Sequence, residues 1–203
     1  MPSSFLSECK QKVLNRIESL LTQQDQVTSS MRYSALADSK CIRAGLVFAS
    51  GKLEGQLDEV GLTDIATSIE LMHSYSLIHD DLPAMDDDGM RRGQRSNHIE
   101  FNEATAILAG DALQALAFET IASSKGIIDA HKVEAVRMLA EACGHQGMIL
   151  GQQYDLDAEK NELLDIELIH SLKTAKLIQV ALTMPYLGNE MHKKTQVLLS
   201  NLG

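Results

Sequence analysis

Between residues 102 and 122 the chain carries Ala104, Ala106, Ile107, Leu108, Ala109, Ala112, Leu113, Ala115, Leu116, Ala117 and Phe118. Wound at about 3.6 residues per turn, such a run has no polar stripe, so it predicts a helix buried on all sides in the middle of a bundle. Gly110 inside it costs helix propensity, which close approach of a neighbouring backbone would explain. A central helix needs others around it, and apolar residues recur at spacings of three and four through most of the chain. Leu6, Cys9, Val13, Ile17 and Leu21 mark a first helix, and Thr28-Ser29-Ser30 reads as a break after it. A second helix is predicted over 36–50, ended by Gly51. A third starts at Thr63-Asp64, a capping-type pair, and stops at Leu82-Pro83, because the residue before proline avoids the helical region. Val133 through Leu150 predicts another, Ile166 through Ala175 another, and 193–202 a last one. No alternating strand pattern, repeat or linker interrupts this, so the fold class is all-α, with one helical domain over residues 1–203.

Composition limits what such a bundle does. Eighteen Lys and Arg against twenty-eight Asp and Glu leave a net charge of −10, which argues against nucleic acid as a partner. An anionic ligand would need a local basic patch or bound cations. Cys9, Cys41 and Cys143 are scattered, odd in number and without metal-binding spacing, which points to a reducing, cytoplasmic setting. The N-terminus has no basic stretch followed by an apolar run, so no signal peptide is expected. No stretch nears eighteen uninterrupted apolar residues, so no transmembrane segment is expected.

One segment breaks the helical pattern with chemistry: His79-Asp80-Asp81-Leu82-Pro83-Ala84-Met85-Asp86-Asp87-Asp88-Gly89-Met90-Arg91-Arg92-Gly93. A solvated acidic turn is the ordinary reading of such a charge run. Asp80 and Asp81, however, end an apolar helix, where like charges repel and lose hydration unless cations sit between them. Clustered hard oxygens suit Mg²⁺, which keeps some of its waters and shares phosphate oxygens with a substrate. A calcium loop fails on register, since it would put Ala84 first and Arg95 twelfth. Arginine forks grip phosphate, so carboxylates beside Arg91 and Arg92 make a polyphosphate site. No P-loop motif occurs. His73 and Asp80 are seven apart and share a helix face. Tyr75 and Ser76 would floor the metal site and limit how far a long apolar substrate extends.

The stretch His73-Ser-Tyr-Ser-Leu-Ile-His-Asp-Asp-Leu-Pro-Ala-Met-Asp-Asp-Asp88, followed by Arg91-Arg92-Gly93, resembles the first aspartate-rich motif of the trans-prenyl diphosphate synthases. The Pro83-Ala84 pair is typical of the bacterial farnesyl diphosphate synthases. Ala106-Ile-Leu-Ala-Gly-Asp-Ala-Leu-Gln114, Gly151-Gln152 with Asp155-Leu-Asp157, and Lys173-Thr174 match as well, so the resemblance runs from about Met31 to the end. It implies an isoprenoid-synthase-type helical bundle, a homodimer, and transfer of an allylic diphosphate's prenyl group to isopentenyl diphosphate with Mg²⁺. By position, Asp80, Asp81 and Asp86 resemble the Mg²⁺ ligands. Arg91 resembles the contact to the allylic diphosphate and Arg92 that to isopentenyl diphosphate. His73, Lys40 and Arg43 match further isopentenyl diphosphate contacts. Lys173 and Thr174 match a pair on the allylic diphosphate, with Gln152 a further candidate. Asp80, Asp81, Asp86, Arg91 and Lys173 are the catalytic set so implied. Tyr75 and Ser76 imply a short product, farnesyl or geranyl diphosphate.

The chain departs from the family in two places. The family's Gly-Gly-Lys-Arg-x-Arg-Pro reads here as Asp38-Ser39-Lys40-Cys41-Ile42-Arg43-Ala44. Its second aspartate-rich motif, Phe-Gln-x-x-Asp-Asp-x-x-Asp, has no counterpart before the chain stops at Gly203. The expectation is therefore a C-terminally truncated bundle. The alternative to catalysis is an inactive homologue that binds diphosphates or a subunit. A class I terpene cyclase also uses an aspartate-rich motif, but Arg91-Arg92 and Lys173-Thr174 suit a second diphosphate substrate.

Overall fold

Cys9, Val13, Ile17 and Leu21 are buried at steps of four, which is why α1 (Pro2–Leu20) forms where its stripe predicts. The computed structural model describes residues 2–54, 57–158 and 165–188. The Lys193–Leu202 helix falls outside them.

The predicted break at Thr28-Ser29-Ser30 is instead helix α2 (Gln26–Ala35). Asp25 caps it, accepting from the Thr28 N–H at 2.8 Å. Ser30 is fully buried, and its hydroxyl donates to Asn97 Oδ1 at 2.7 Å. Asn97 Nδ2 returns bonds to Ser30 O and Ser34 Oγ. Serine's usual objection to a helix interior is thus answered by a partner 67 residues away. The second predicted helix begins later than expected, as α3 (Ile42–Glu54). The third begins earlier, as α4 (Glu59–Asp80). Its start is capped by Asp58, which accepts from the Gly61 N–H at 2.8 Å, and Asp64 lies buried inside the helix.

After α4 the chain makes a short turn and a two-stranded hairpin, β1 (Met90–Arg91) with β2 (Gln94–Arg95), where no strand was expected. Arg92 and Gly93 both have positive φ, 53° and 81°, the combination that closes a two-residue hairpin with the natural strand twist. Helices α5 (Asn97–Glu100) and α6 (Glu103–Ala122) follow.

Helix α6 is not buried on all sides. Ala106, Ala109, Leu113 and Ala117 are fully buried, but Ile107 and Leu108 are 43% and 55% exposed, and Asp111 and Glu119 stand in solvent. By length and composition it would cross a membrane. It packs instead as a core helix, with the Ser68 hydroxyl donating to Ala117 O at 2.6 Å. Gly110 faces the His79 ring rather than a neighbouring backbone.

The predicted helix over Val133–Leu150 is two, α7 (Asp129–Cys143) and α8 (Met148–Ala158), separated at Gly144–Gly147. The one over Ile166–Ala175 is α9 (Ile166–His170), a π-helical turn Ser171–Ala175, and then α10 (Lys176–Thr183) with a 3₁₀ turn Met184–Tyr186.

These elements form two compact units. The first is Met1–Gly45 with Ala66–Thr120, and the second is Leu46–Ile65 with Ile121–Gly203. The first unit's core is built on Val13, Ile17, Ile69, Met72 and Leu113. In the second, Tyr186 donates to Ser50 O at 3.1 Å and the Ser50 hydroxyl donates to Leu182 O at 2.5 Å, tying α3 to the end of α10 and to the 3₁₀ turn after it.

Candidate active site

In the first unit α4 ends at Asp80 and the chain loops straight back. The Asp86 N–H donates to Asp80 O at 2.9 Å, and the N–H groups of Met85 and Asp87 both donate to Leu82 O. This turn brings Asp86 against Asp80. Asp80 is partly exposed, and Asp86, Asp87 and Asp88 are exposed. Asp81 is different. It is 2% exposed and its Oδ1 accepts from Arg91 Nε at 2.8 Å and from Nη2. Arg91 Nη2 also donates to Asp88 Oδ2 at 3.1 Å. Hydrogen bonding to Asp81 raises the guanidinium's pKa further, so Arg91 stays cationic beside the acidic turn.

The hairpin turn sends the adjacent arginine elsewhere. Arg92 lines a cavity of about 480 Å³ with Lys40, Arg43, Glu70 and His73, and Asp38, Ser39, Cys41 and Ile42 line it too. Arg92 Nη2 lies 3.3 Å from His73 Nε2. Arginine only donates, so Nε2 accepts and the imidazole proton sits on Nδ1. Burial, with Arg43, Arg92 and Arg91 nearby, pushes the His73 pKa down to about 3, so the ring is neutral. Burial pushes the Glu70 carboxyl upward against the pull of the Ala44 N–H, Arg43 and Arg92. Burial, and the Glu70 charge, likewise push the Cys41 thiol up. Asp38 pairs with Lys10 of α1 at 2.5 Å, and that hydrogen bond holds its pKa below the usual carboxylate value.

So the first unit brings together two groups that the sequence named separately. Lys40, Arg43, His73 and Arg92 share the cavity, and Asp80, Asp81, Asp86 and Arg91 share the turn. Two of the departures from the family motif, Asp38 and Cys41, line the cavity, and Cys41 adopts a positive φ of 44°. Glu70 was not anticipated. The available signal was an acidic residue one helical turn before His73 in an otherwise apolar stretch. Tyr75 is buried, its ring edge-on to His79 at 5.1 Å between centroids, and the Ser76 hydroxyl donates to His73 O.

Lys173, Thr174 and Gln152 belong to the second unit. Lys173 and Thr174 sit inside the π turn, a distortion common at functional sites. Lys173 Nζ donates to Asp155 Oδ2 at 2.7 Å, and Thr174 is exposed. Gly151 of α8 lies so near that a Cβ there would stand 2.8 Å from Lys173 Cα. The amide of Gln152 is buried with neither Nε2 nor Oε1 hydrogen-bonded.

Among the described residues no three His, Cys, Asp or Glu side chains converge on one metal position. Mg²⁺ is commonly held by one or two carboxylates together with substrate phosphates. Asp80 and Asp86, hard oxygen donors joined by a backbone hydrogen bond and open to solvent, fit that donor set.

The first unit thus carries a cationic cavity and an acidic turn, and comparison with known proteins shows the family. The sequence pattern of the Polyprenyl synthetase family matches residues 24–203. The chain is 43% identical over 191 residues to a farnesyl diphosphate synthase of Haemophilus influenzae, covering 89% of this chain and 64% of that protein. It is 43% identical over 183 residues to a farnesyl diphosphate synthase of Escherichia coli, covering 88% and 61%. Among solved structures, a geranyltransferase of Legionella pneumophila superposes with a TM-score of 0.89 at 37% identity, over 98% of this chain and 73% of that one. An FPP/GFPP synthase of Zymomonas mobilis gives 0.90 at 31% identity, over 99% and 76%. The chain therefore belongs to the polyprenyl synthetase family, and it spans somewhat under two thirds of the length of these two curated relatives.

Proposed function

We propose that the chain is a short-chain prenyl diphosphate synthase of the farnesyl diphosphate synthase type, joining isopentenyl diphosphate to an allylic diphosphate. The observation that carries this reading is the separation of the two arginines: Arg92 lines the cavity with Lys40, Arg43 and His73, while Arg91 lies with Asp81 and Asp88 on the acidic turn. Two diphosphates need two cationic stations, and the hairpin turn supplies them from adjacent residues. In the cavity Lys40, Arg43 and Arg92 hold the isopentenyl diphosphate. Neutral His73 accepts from Arg92 and so keeps that guanidinium aimed. At the turn Arg91 steadies the diphosphate that leaves the allylic substrate, where transition-state charge collects. Mg²⁺ held by Asp80 and Asp86 would supply further charge neutralisation there. The family resemblance makes Lys173, Thr174 and Gln152 of the second unit candidate contacts to a diphosphate. Buried Tyr75, five residues before Asp80, supports a short product, farnesyl or geranyl diphosphate. Exposed Ile107 and Leu108 on α6 support a homodimer. Three free, buried cysteines support a reducing, cytoplasmic setting.

The test is incubation of the chain with isopentenyl and dimethylallyl diphosphates. The expected result is Mg²⁺-dependent prenyl product, lost by at least about a hundredfold in Asp80→Ala. Diphosphate binding without product would favour a binding module over an enzyme. A folded chain with neither would overturn the reading.

A further inference from the structure

Helix α3 begins at Ile42, so the N–H groups of Ile42, Arg43 and Ala44 have no carbonyl four residues back within the helix. The Gly45 N–H is the first to find one, on Cys41 O at 3.0 Å. The Ala44 N–H is served from outside the helix: a Glu70 carboxylate oxygen of α4 accepts it at 3.1 Å. Glu70 is 6% exposed and lines the same cavity as Lys40, Arg43, His73 and Arg92. A carboxylate at a helix N-terminus is favourable, but one on the wall of a cavity for an anion opposes the ligand. Its retention there needs a reason, and the bond to α3 supplies one. The two cations nearest the start of α3, Lys40 and Arg43, flank the segment this bond anchors.

Resting on the reading of the cavity as the isopentenyl diphosphate station, we propose that Glu70 is a positioning residue, whose carboxylate ties the first turn of α3 to α4 and so sets where Lys40 and Arg43 meet the diphosphate. The charged and titratable groups that share the cavity with it are Asp38, Lys40, Cys41 and Arg43 from the start of α3 and the residues before it, Arg92 from the hairpin and His73 from its own helix. The arginines stay cationic. Burial pushes the Glu70 pKa up, while the Ala44 N–H, Arg43 and Arg92 pull it down.

The experiment titrates inorganic diphosphate, without Mg²⁺, into the wild-type chain, Glu70→Ala and Glu70→Gln by calorimetry. Glu70→Ala leaves the Ala44 N–H without its acceptor and is expected to weaken binding about tenfold. Glu70→Gln keeps an accepting oxygen and is expected to restore binding to within about threefold of the wild type. Either Glu70→Ala binding like wild type or Glu70→Gln binding as weakly as Glu70→Ala overturns the proposal. Should Glu70→Ala fail to fold, Glu70→Gln decides: binding more than about tenfold weaker than wild type overturns the proposal. A wild-type chain that binds no diphosphate overturns the cavity reading as well, which separates that failure from this one.

Discussion

The two units present functional side chains in opposite ways. In the first, helix α4 stops at Asp80, and an irregular turn and a hairpin carry the carboxylates and arginines away from it. In the second, the helix from Ile166 is not interrupted. It widens into a π turn, and Lys173 and Thr174 stand inside the widening. Breaking a helix frees backbone groups to fold into a shape, here one that sends Arg91 and Arg92 to different partners. Widening a helix keeps its direction and shifts only the register of the side chains beyond. The first device depends on positive-φ positions at Asp87, Arg92 and Gly93. The second depends on what lies against the π turn.

That difference sets the expected sizes of perturbation. The largest belongs to the second unit. A side chain at Gly151 would meet the Lys173 and Leu172 backbone, which has no rotamer to escape into. Gly151→Val is expected to cost about 3 kcal/mol, seen as a lower thermal midpoint, and an unchanged midpoint would show that α8 and the π turn are free to slide apart.

An intermediate effect belongs to His73. Its folded pKa, about 3, lies below its unfolded value near 6.5, so the unfolded chain takes up a proton that the folded chain refuses. Stability therefore falls as pH drops from about 6.5 toward 3, by up to about 1 kcal/mol per pH unit from this residue. Glu70, with its pKa raised, acts with the opposite sign, favouring the folded state at low pH and losing that contribution as pH rises. His73→Gln is expected to flatten the acid limb of a denaturation profile. An acid limb identical to wild type would mean that the ring is hydrated and charges freely.

The smallest stability effect is at the hairpin. Arg92 has φ of 53°, which glycine adopts without penalty. Arg92→Gly is expected to stabilise the turn by less than about 1 kcal/mol while removing a cation from the cavity. Stability and binding then move in opposite directions, which no general unfolding effect would produce.

Much of this was legible in the sequence. The aspartate segment and its two arginines marked the first unit's candidate site, because clustered charges at the end of an apolar helix stand out from the spacing around them. The all-α class followed from apolar spacing. The errors share a cause, which is that local propensity does not report distant partners. Thr28 and Ser30 looked like a break, yet Asn97 satisfies Ser30 from 67 residues away. Helix α6 looked buried all round, since small and branched apolar residues on its outer face read the same as those on its inner one. The helix expected across Val133–Leu150 splits because Gly144 and Gly147 outweigh the apolar spacing, and Val133 is 77% exposed. Glu70 carried too little local signal to stand out: a single acidic residue on a helix is ordinarily solvated, and only the fold turns it toward the start of α3.

The central claim is that Arg92 and its cavity hold one of the two diphosphates. Calorimetric titration of isopentenyl diphosphate into the wild-type chain and into Arg92→Gly tests it most directly. Saturable binding to one site per chain, weakened at least about tenfold in Arg92→Gly, is the predicted result. Equal affinity in the two chains, or no binding to either folded chain, would contradict it.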